Sequence, residues 1–189
     1  INKNPEFKAK VTKELADTLS KGWDSAVKQY PILESLQPRY IVKNEKGRIA
    51  QSKAILKEVE KEEIYRLRES TKQMLHNIAG KNITNAHDGR IAQVSKKNIG
   101  KMVSDKAIAK SVANGFSAME HFNAVNDIES LYKNAIFKET TADKHGEIYL
   151  KIHRYNAQFE NANALITLKE TTEHGSKIYT LELEELEAP

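Results

Sequence analysis

Three segments near the C-terminal end constrain the fold more than any other feature, because each alternates apolar and polar residues. They read EIYLKIHRY (147–155), ALITLKE (164–170) and KIYTLELEE (177–185), and the joints between them contain Asn, Gly and Ser. A period of two residues bounded by such joints is typical of antiparallel β-strands connected by short turns. The segments therefore predict an antiparallel meander.

Helical periodicity fills the first part of the chain. Apolar residues recur every three to four positions within residues 5–30, where the helix is expected to end near Gly22. They do so again within residues 51–79, where Gly80 is the expected end. This spacing predicts two amphipathic helices, and glycine is a common residue where a helix ends. Two such helices in succession predict a helical hairpin, so we assign residues 1–84 to a helical extension or linker domain.

Shorter helices are predicted between this hairpin and the strands. Two of them span about Lys96–Val103 and Asp105–Ala113, and the next begins at Ser117, with Glu120 three residues later. Serine followed by glutamate at that distance is the capping-box pattern of a helix start. Helices first and strands last predict an α+β domain over residues 85–189, in which a small helical layer packs on an antiparallel sheet of three to four strands.

Composition restricts the class of protein further. The chain has no cysteine, which excludes disulfides and thiolate metal sites and suits a reducing compartment such as the cytoplasm. Its six histidines show neither HxxxH nor HExxH spacing, so we expect no metal and no cofactor. No apolar run is long enough to span a bilayer, so we expect no membrane segment. Because the sequence starts with Ile1, we expect a fragment of a longer polypeptide.

The formal charge of +4 is divided unevenly along the chain. Residues 1–84 carry a net charge of +6 and residues 85–189 a net charge of −2. The first part could lie against a polyanion, although a solvated helical face is the simpler explanation of such a surplus. The second part is not a general nucleic-acid binder by charge, so any phosphate affinity there requires a local cluster.

Alternation along the strands predicts where such a cluster lies. If Ile148, Leu150 and Ile152 face the core with the apolar residues of the next two strands, the opposite face collects seven other side chains. They are Lys151, His153, Tyr155, Thr167, Lys169, Thr180 and Glu182. An ordinary solvated sheet face has the same composition. The cluster also permits phosphodiester cleavage without a metal, with histidine as acid or base and lysine stabilising the phosphorane.

The segments that carry these residues resemble a known family. The most specific are NGFSAMEHFNAVNDIESLYKNA (114–135), IHRYNAQF (152–159) and ALITLKETTEHGSKIYTLELEEL (164–186). Over about residues 85–187 they resemble a domain of the large polyvalent proteins of phages and conjugative elements, which carry domains of the barnase/EndoU/colicin/RelE-like nuclease superfamily. The resemblance implies helices packed on a four-stranded antiparallel sheet. It also implies RNA cleavage at the sheet face through the substrate's 2′-hydroxyl, leaving a cyclic phosphate.

The resemblance also implies which residues take part. It points to six of them: His153, Thr167, Lys169, Arg154, Tyr179 and His121. Strand alternation instead turns Arg154 and Tyr179 toward the apolar face. A structural role in capping its helix is the alternative for His121, which lies in the first turn. The placement of Arg154 in the site therefore rests on the resemblance alone.

Together these observations predict a ribonuclease of the toxin or effector type that cuts tRNA or another structured RNA in a bacterial cell. His153 is expected to be the general base or acid, Lys169 with Arg154 to stabilise the phosphate, and Thr167 to position it. The side chains expected to contact RNA are Lys151, Tyr155, His121, Tyr179 and Glu182, and Glu182 is also an alternative proton-transfer group.

The alternative prediction is a catalytically inactive binding or immunity module of a phage or mobile-element polyprotein. The acidic ELEELE end of the chain favours it, because that segment would repel RNA. The expected partners are therefore RNA in the first case, and a cognate immunity protein or the parent polyprotein in the second.

Overall fold

The structure, a computed structural model, describes residues 4–36, 41–143 and 151–189. The chain forms two compact units, residues 1–66 and 67–189. The described secondary structure of the first unit is helical, and that of the second consists of helices and antiparallel strands, which confirms the predicted α+β class. The boundary expected after residue 84 lies inside the second unit. None of the helices in the described part of the chain has the length and apolar character needed to cross a membrane.

Helices are the regular elements of the first unit in its described residues. They are α1 (Pro5–Leu19), α2 (Trp23–Gln29), a 3-10 turn (Pro31–Ser35) and the first part of α3 (Glu45–Ile78). Asn4 caps α1, because its side-chain oxygen accepts a hydrogen bond of 2.9 Å from the backbone N–H of Glu6. The buried core of the unit contains Leu15, Leu19, Ala26, Leu33 and Ile55. The helical region is as predicted, but Gly22, with a φ of 111°, separates α1 from the additional helix α2.

The described part of the second unit contains the end of α3, a 3-10 turn (Lys96–Asn98), four further helices and six strands. These are β1 (Ile83–Thr84), β2 (Ile91–Ala92), α4 (Ile99–Met102), α5 (Asp105–Ala113), α6 (Ala118–Asn126), α7 (Ile128–Asn134), β3 (Ile136–Ala142), β4 (Lys151–Phe159), β5 (Ala162–Glu173) and β6 (Ser176–Glu187). The predicted capping box of α6 is confirmed. The Ser117 hydroxyl accepts from the Glu120 N–H at 3.1 Å, and the Glu120 carboxylate accepts from the Ser117 N–H at 2.6 Å.

Strands β3 to β6 form one antiparallel sheet in the order β3-β4-β5-β6. The sheet confirms the predicted meander and adds β3, which the sequence did not predict. His174 and Gly175 join β5 to β6 and both have positive φ, at 49° and 81°, as the common two-residue hairpin turn requires. The short pair β1–β2 is tied to this sheet through Gln93, whose N–H donates to the Tyr179 carbonyl at 3.0 Å.

The two faces of the four-stranded sheet differ in character. We define the inner face by the side chains of His153, Tyr155, Ile166, Leu168, Glu170, Tyr179 and Leu181, and the outer face by those of Arg154, Thr167, Lys169, Thr180 and Glu182. Helix α7 covers part of the inner face, where the rings of Tyr132 and Tyr155 pack edge-on with 5.6 Å between their centroids. Most apolar side chains of the inner face are fully buried, so the core of the unit lies there.

Alternation along β5 and β6 is as predicted, but the predicted alternation along β4 is wrong. His153 and Tyr155 lie on the inner face, opposite Leu168 and Ile166 in register, and Arg154 lies on the outer face. Because a shift of one residue turns every side chain of a strand to the other face, the predicted cluster of seven polar residues is divided between the two faces.

The error has a physical origin. The expected inward set is Ile148, Leu150 and Ile152, and the first two of these lie outside the described residues. The described strand instead continues to Phe159, through residues expected to form a turn. The longer strand buries every second residue from His153 onward, namely His153, Tyr155 and Ala157. The polar side chain of His153 therefore points to the core.

Candidate active site

A buried histidine–glutamate pair lies at one end of the inner face. Nε2 of His153 on β4 is 2.7 Å from Oε2 of Glu170 on β5, and the two side chains are only 6% and 9% exposed. Nδ1 of His153 is 2.7 Å from Oγ1 of Thr140, which is exposed on β3 and stands directly opposite His153 in register. The imidazole therefore connects a buried carboxylate with a hydroxyl at the surface.

The buried carboxylate also binds a surface lysine. Nζ of Lys177, at the start of β6, is 3.1 Å from Oε1 of Glu170. Burial raises the pKa of the Glu170 carboxyl, but its hydrogen bonds with His153 and Lys177 outweigh burial and hold the pKa below its usual value. Glu170 is therefore ionised at neutral pH and can fix the positions of both partners.

Arg90 reaches the same end of the inner face from the turn between β1 and β2. Asn85 shapes this turn, because its Oδ1 accepts from the backbone N–H groups of His87 and Asp88 at 2.9 and 3.0 Å. The amide of Asn85 also donates to two backbone carbonyls at the end of α7, each at 2.8 Å. Gly89 adopts a φ of 72°, which places Arg90 at the end of the turn.

The guanidinium of Arg90 is held among aromatic rings. It lies 5.2 Å from the ring centroid of Tyr179, 5.9 Å from that of Phe137 and 6.0 Å from that of Tyr155, all within cation–π range. It also donates to the Tyr155 hydroxyl, which donates in turn to Asp88 at 2.6 Å. Burial lowers the pKa of Arg90, but Tyr155 and Asp88 more than offset it, so the net change raises the pKa.

These groups border an open cleft. Its volume is about 490 Å³, and Asp88, Arg90, Lys177 and Tyr179 contribute to its walls. The Tyr179 ring packs edge-on against the ring of His153, with 5.7 Å between centroids. Two cationic side chains therefore face the cleft, and the histidine–glutamate pair lies directly behind its tyrosine wall.

The four residues predicted to be catalytic do not come together. His153 is on the inner face, whereas Lys169, Thr167 and Arg154 are on the outer face. Lys169 pairs there with Glu182, with 3.2 Å between Nζ and Oε2. Thr167 lies between Arg154 and Glu182 in register. A phosphate bound at His153 therefore cannot contact the other three predicted residues.

Three of the residues expected to bind RNA share the inner face with His153. Lys151 is exposed and stands opposite Glu170 in register, and Tyr179 lines the cleft. Tyr155 is fully buried, and burial with the Asp88 hydrogen bond raises the pKa of its phenol above the usual value. Tyr155 therefore supports Arg90 rather than offering a surface on which a base can stack.

His121 makes its hydrogen bonds within the helical layer and not with side chains of either sheet face. It is fully buried in α6, where Nδ1 is 2.8 Å from the Ser111 hydroxyl of α5 and Nε2 is 2.8 Å from the Met102 carbonyl oxygen of α4. Burial lowers the pKa of the ring, and the hydrogen bond with Met102 offsets this only in part. The side chain joins three helices, so RNA cannot reach it in this structure.

The sequence did not indicate four residues of the candidate site: Thr140, Arg90, Glu170 and Lys177. Glu170 and Lys177 flank the predicted turn between β5 and β6. Opposite charges on the two sides of a hairpin turn could have predicted that these side chains pair. Arg90 lies in the segment GRIAQ (89–93), which also occurs at 47–51 and carries no strand pattern. Nothing in the spacing of the chain places it beside β4.

A known family matches the part of the chain that holds this site. The family is described as large polyvalent protein-associated domain 3, and the match covers residues 62–179. This span is more than half of the chain and includes Arg90, His153 and Glu170. No curated protein and no solved structure matches the chain significantly.

Proposed function

Because the chain belongs to the family of large polyvalent protein-associated domain 3, we propose that its second unit is a metal-independent ribonuclease carried by a large polyvalent protein. Its substrate is tRNA or another structured RNA in the cytoplasm of a bacterial cell, and it needs no cofactor. The observation that supports this most is the pairing of His153 with Glu170 beside a cleft lined by Arg90 and Lys177.

In the proposed reaction His153 is the general base. Its Nδ1 already binds the exposed Thr140 hydroxyl at 2.7 Å, so a 2′-hydroxyl that displaces Thr140 meets the same nitrogen. Glu170, at the other nitrogen, orients the ring and stabilises the imidazolium that forms when the 2′-hydroxyl proton is transferred. The 2′-oxygen then attacks the phosphorus, and the bond to the 5′-oxygen breaks.

The other groups of the cleft supply charge and the second proton. Arg90 and Lys177 stabilise the negative charge that grows on the phosphorane oxygens, and the rings around Arg90 keep its guanidinium oriented. Tyr179 gives its hydroxyl proton to the departing 5′-oxygen. Lys151, exposed at the start of β4, binds the RNA backbone. Lys169, together with the rest of the outer face, takes no part.

The test is incubation of the purified chain with total tRNA in the presence of EDTA. The wild-type chain is expected to yield fragments ending in 2′,3′-cyclic phosphate. We expect His153→Asn to reduce the rate by at least about 10²-fold, the usual contribution of a general base. Arg90→Gln tests the cleft without removing a partner of the buried pair, whereas Lys177→Gln also removes the ammonium group that binds Glu170.

Lys97→Gln is the matched control, because Lys97 is an exposed lysine outside the cleft. Thermal unfolding of each variant separates loss of activity from loss of structure. A folded wild-type chain that leaves several structured RNAs intact, or cleavage that EDTA abolishes, contradicts the proposal.

The second candidate function is a binding module without activity. Two observations favour it: both ring nitrogens of His153 are bonded within the protein, and residues 85–189 carry a net charge of −2. Its partner is a cognate immunity protein or another part of the parent polyprotein. In this case Arg90→Gln and Lys177→Gln weaken the protein complex, and wild-type chain cleaves no RNA.

A further inference from the structure

The outer face of the sheet borders a second cleft. Residues of α4 and α5 form one wall and residues of β3 to β6 the other, around a volume of about 670 Å³. Pockets that hold small organic ligands measure about 300–1,000 Å³, so this cleft has the size of a ligand site. Five cationic side chains of the described residues line it: Lys101, Lys106, Lys110, Arg154 and Lys169.

Ion pairs hold three of these cations in place. Glu184 of β6 is shared between Lys110, at 2.8 Å, and Arg154, at 3.9 Å. Lys169 is bound by Glu182 at 3.2 Å. Among the described lining residues, Asp143, Glu182 and Glu184 are the carboxylates, so positive groups outnumber negative ones by two. Glu139, outside the cleft, also lies 3.5 Å from Arg154. The fixed cations and the positive surplus favour an anionic ligand.

Further polar groups in the cleft lack a partner in the described part of the chain. The ammonium groups of Lys101 and Lys106 form no ion pair with any described carboxylate, and both residues are exposed. Thr167 is only 5% exposed, and its hydroxyl makes no hydrogen bond to a described residue. Because Thr167 stands directly opposite Arg154 in register, an available hydroxyl lies beside the guanidinium at the floor of the cleft.

We propose that this second cleft, at the outer face of the sheet, binds a phosphate monoester of nucleotide size. A phosphate dianion suits the positive surplus of the cleft, and the exposed ammonium groups of Lys101 and Lys106 can bind its oxygens. Arg154, whose Nη1 donates to the Thr141 hydroxyl at 2.8 Å, adds positive charge at the floor of the cleft. Apolar residues, including Met102, Ala107 and Ile152, line the remaining wall and contact the organic part of the ligand. None of the residues that line this cleft belongs to the candidate active site around His153, so this inference is independent of the proposed ribonuclease activity.

The test is isothermal titration of the full chain with adenosine 5′-monophosphate, inorganic phosphate and adenosine. The monophosphate is expected to bind most tightly, because it alone fills both the cationic and the apolar parts of the cleft. We expect the double variant Lys101→Gln/Lys106→Gln and the isosteric variant Thr167→Val each to raise the dissociation constant of the monophosphate by about tenfold. This is the effect of losing one charge-assisted or buried hydrogen bond.

Lys97→Gln, an exposed lysine outside the cleft, is the control and leaves binding unchanged. A short RNA with a 5′-phosphate identifies the source of the ligand: tighter binding than the free nucleotide indicates an RNA end, and weaker binding indicates a free nucleotide. Equal affinity for the monophosphate and for inorganic phosphate or adenosine overturns the proposal. So does binding that both cleft variants leave intact.

Discussion

The buried imidazole of His121 shows what a single residue does for this fold. Its two hydrogen bonds, each 2.8 Å long, connect α6 to the Ser111 hydroxyl and to the Met102 carbonyl. We expect His121→Gln to lower the free energy of unfolding by about 1–3 kcal/mol, because at least one buried partner loses its hydrogen bond. Urea denaturation at pH 8 measures this, with the exposed His76→Gln as the matched control.

The same residue predicts how stability depends on pH. Burial holds the pKa of His121 below its usual value of 6.5, so the unfolded chain binds the proton first as the pH falls. This contribution to the free energy of unfolding is therefore complete above pH 6.5 and is lost as the pH falls below 6.5. Denaturation between pH 5 and pH 8 is expected to show a smaller decline for His121→Gln than for the wild-type chain. An equal decline in both contradicts the assignment.

Among the secondary-structure elements, the β1–β2 turn decides whether Arg90 reaches the candidate active site. Asn85 is 1% exposed and makes four hydrogen bonds that fix this turn against α7. Asn85→Ala is expected to destabilise the chain by about 2–3 kcal/mol, because the two carbonyls it leaves are buried. Amide hydrogen exchange is expected to rise selectively over residues 86–91.

Asn134→Ala provides the comparison, since Asn134 is exposed and makes one local hydrogen bond. We expect it to change neither exchange in the turn nor stability by more than about 0.5 kcal/mol. If Asn85→Ala leaves exchange over residues 86–91 unchanged, the turn is held by other contacts.

The elements also show which parts of the fold the sequence contains. The capping box at Ser117 and Glu120 is a local signal, and the predicted helix start is confirmed. Strands β5 and β6 were predicted with the correct faces because their apolar residues alternate without interruption. On β4 the pattern changes, since His153 replaces an apolar residue at an inward position. The buried imidazole of His153 is bonded there to the carboxylate of Glu170, which lies on another strand, β5.

Across the whole molecule, the candidate active site joins segments that are distant in sequence. Thr140, His153 and Glu170 lie on three different strands, and Arg90 lies in the turn between β1 and β2. Their contacts depend on the register of β3 with β4 and on a turn that packs on α7. Single-sequence periodicity predicts the faces of a strand but not which strand lies beside it. The resemblance pointed to His153 and Tyr179, whose rings are in contact in the structure. It pointed equally to Lys169, which lies on the other face of the sheet.

The last prediction concerns how much of the chain the domain needs in order to fold. The family match ends at residue 179, inside β6, which continues to Glu187. Its remaining part buries Leu181, Leu183 and Leu186, each at most 2% exposed. Loss of one buried leucine costs about 2–5 kcal/mol, and a whole domain is stable by only about 5–15 kcal/mol. A fragment of residues 62–179 should therefore lack a cooperative unfolding transition.

A fragment of residues 62–189 keeps all of β6 and is expected to unfold cooperatively when circular dichroism is followed with temperature. The matched control is a fragment that ends at Glu187, because the last two residues lie beyond the strand. It should unfold at the same temperature as the fragment of residues 62–189. If the fragment ending at residue 179 shared that midpoint, the end of β6 would not belong to the core, and the folded domain would coincide with the family match.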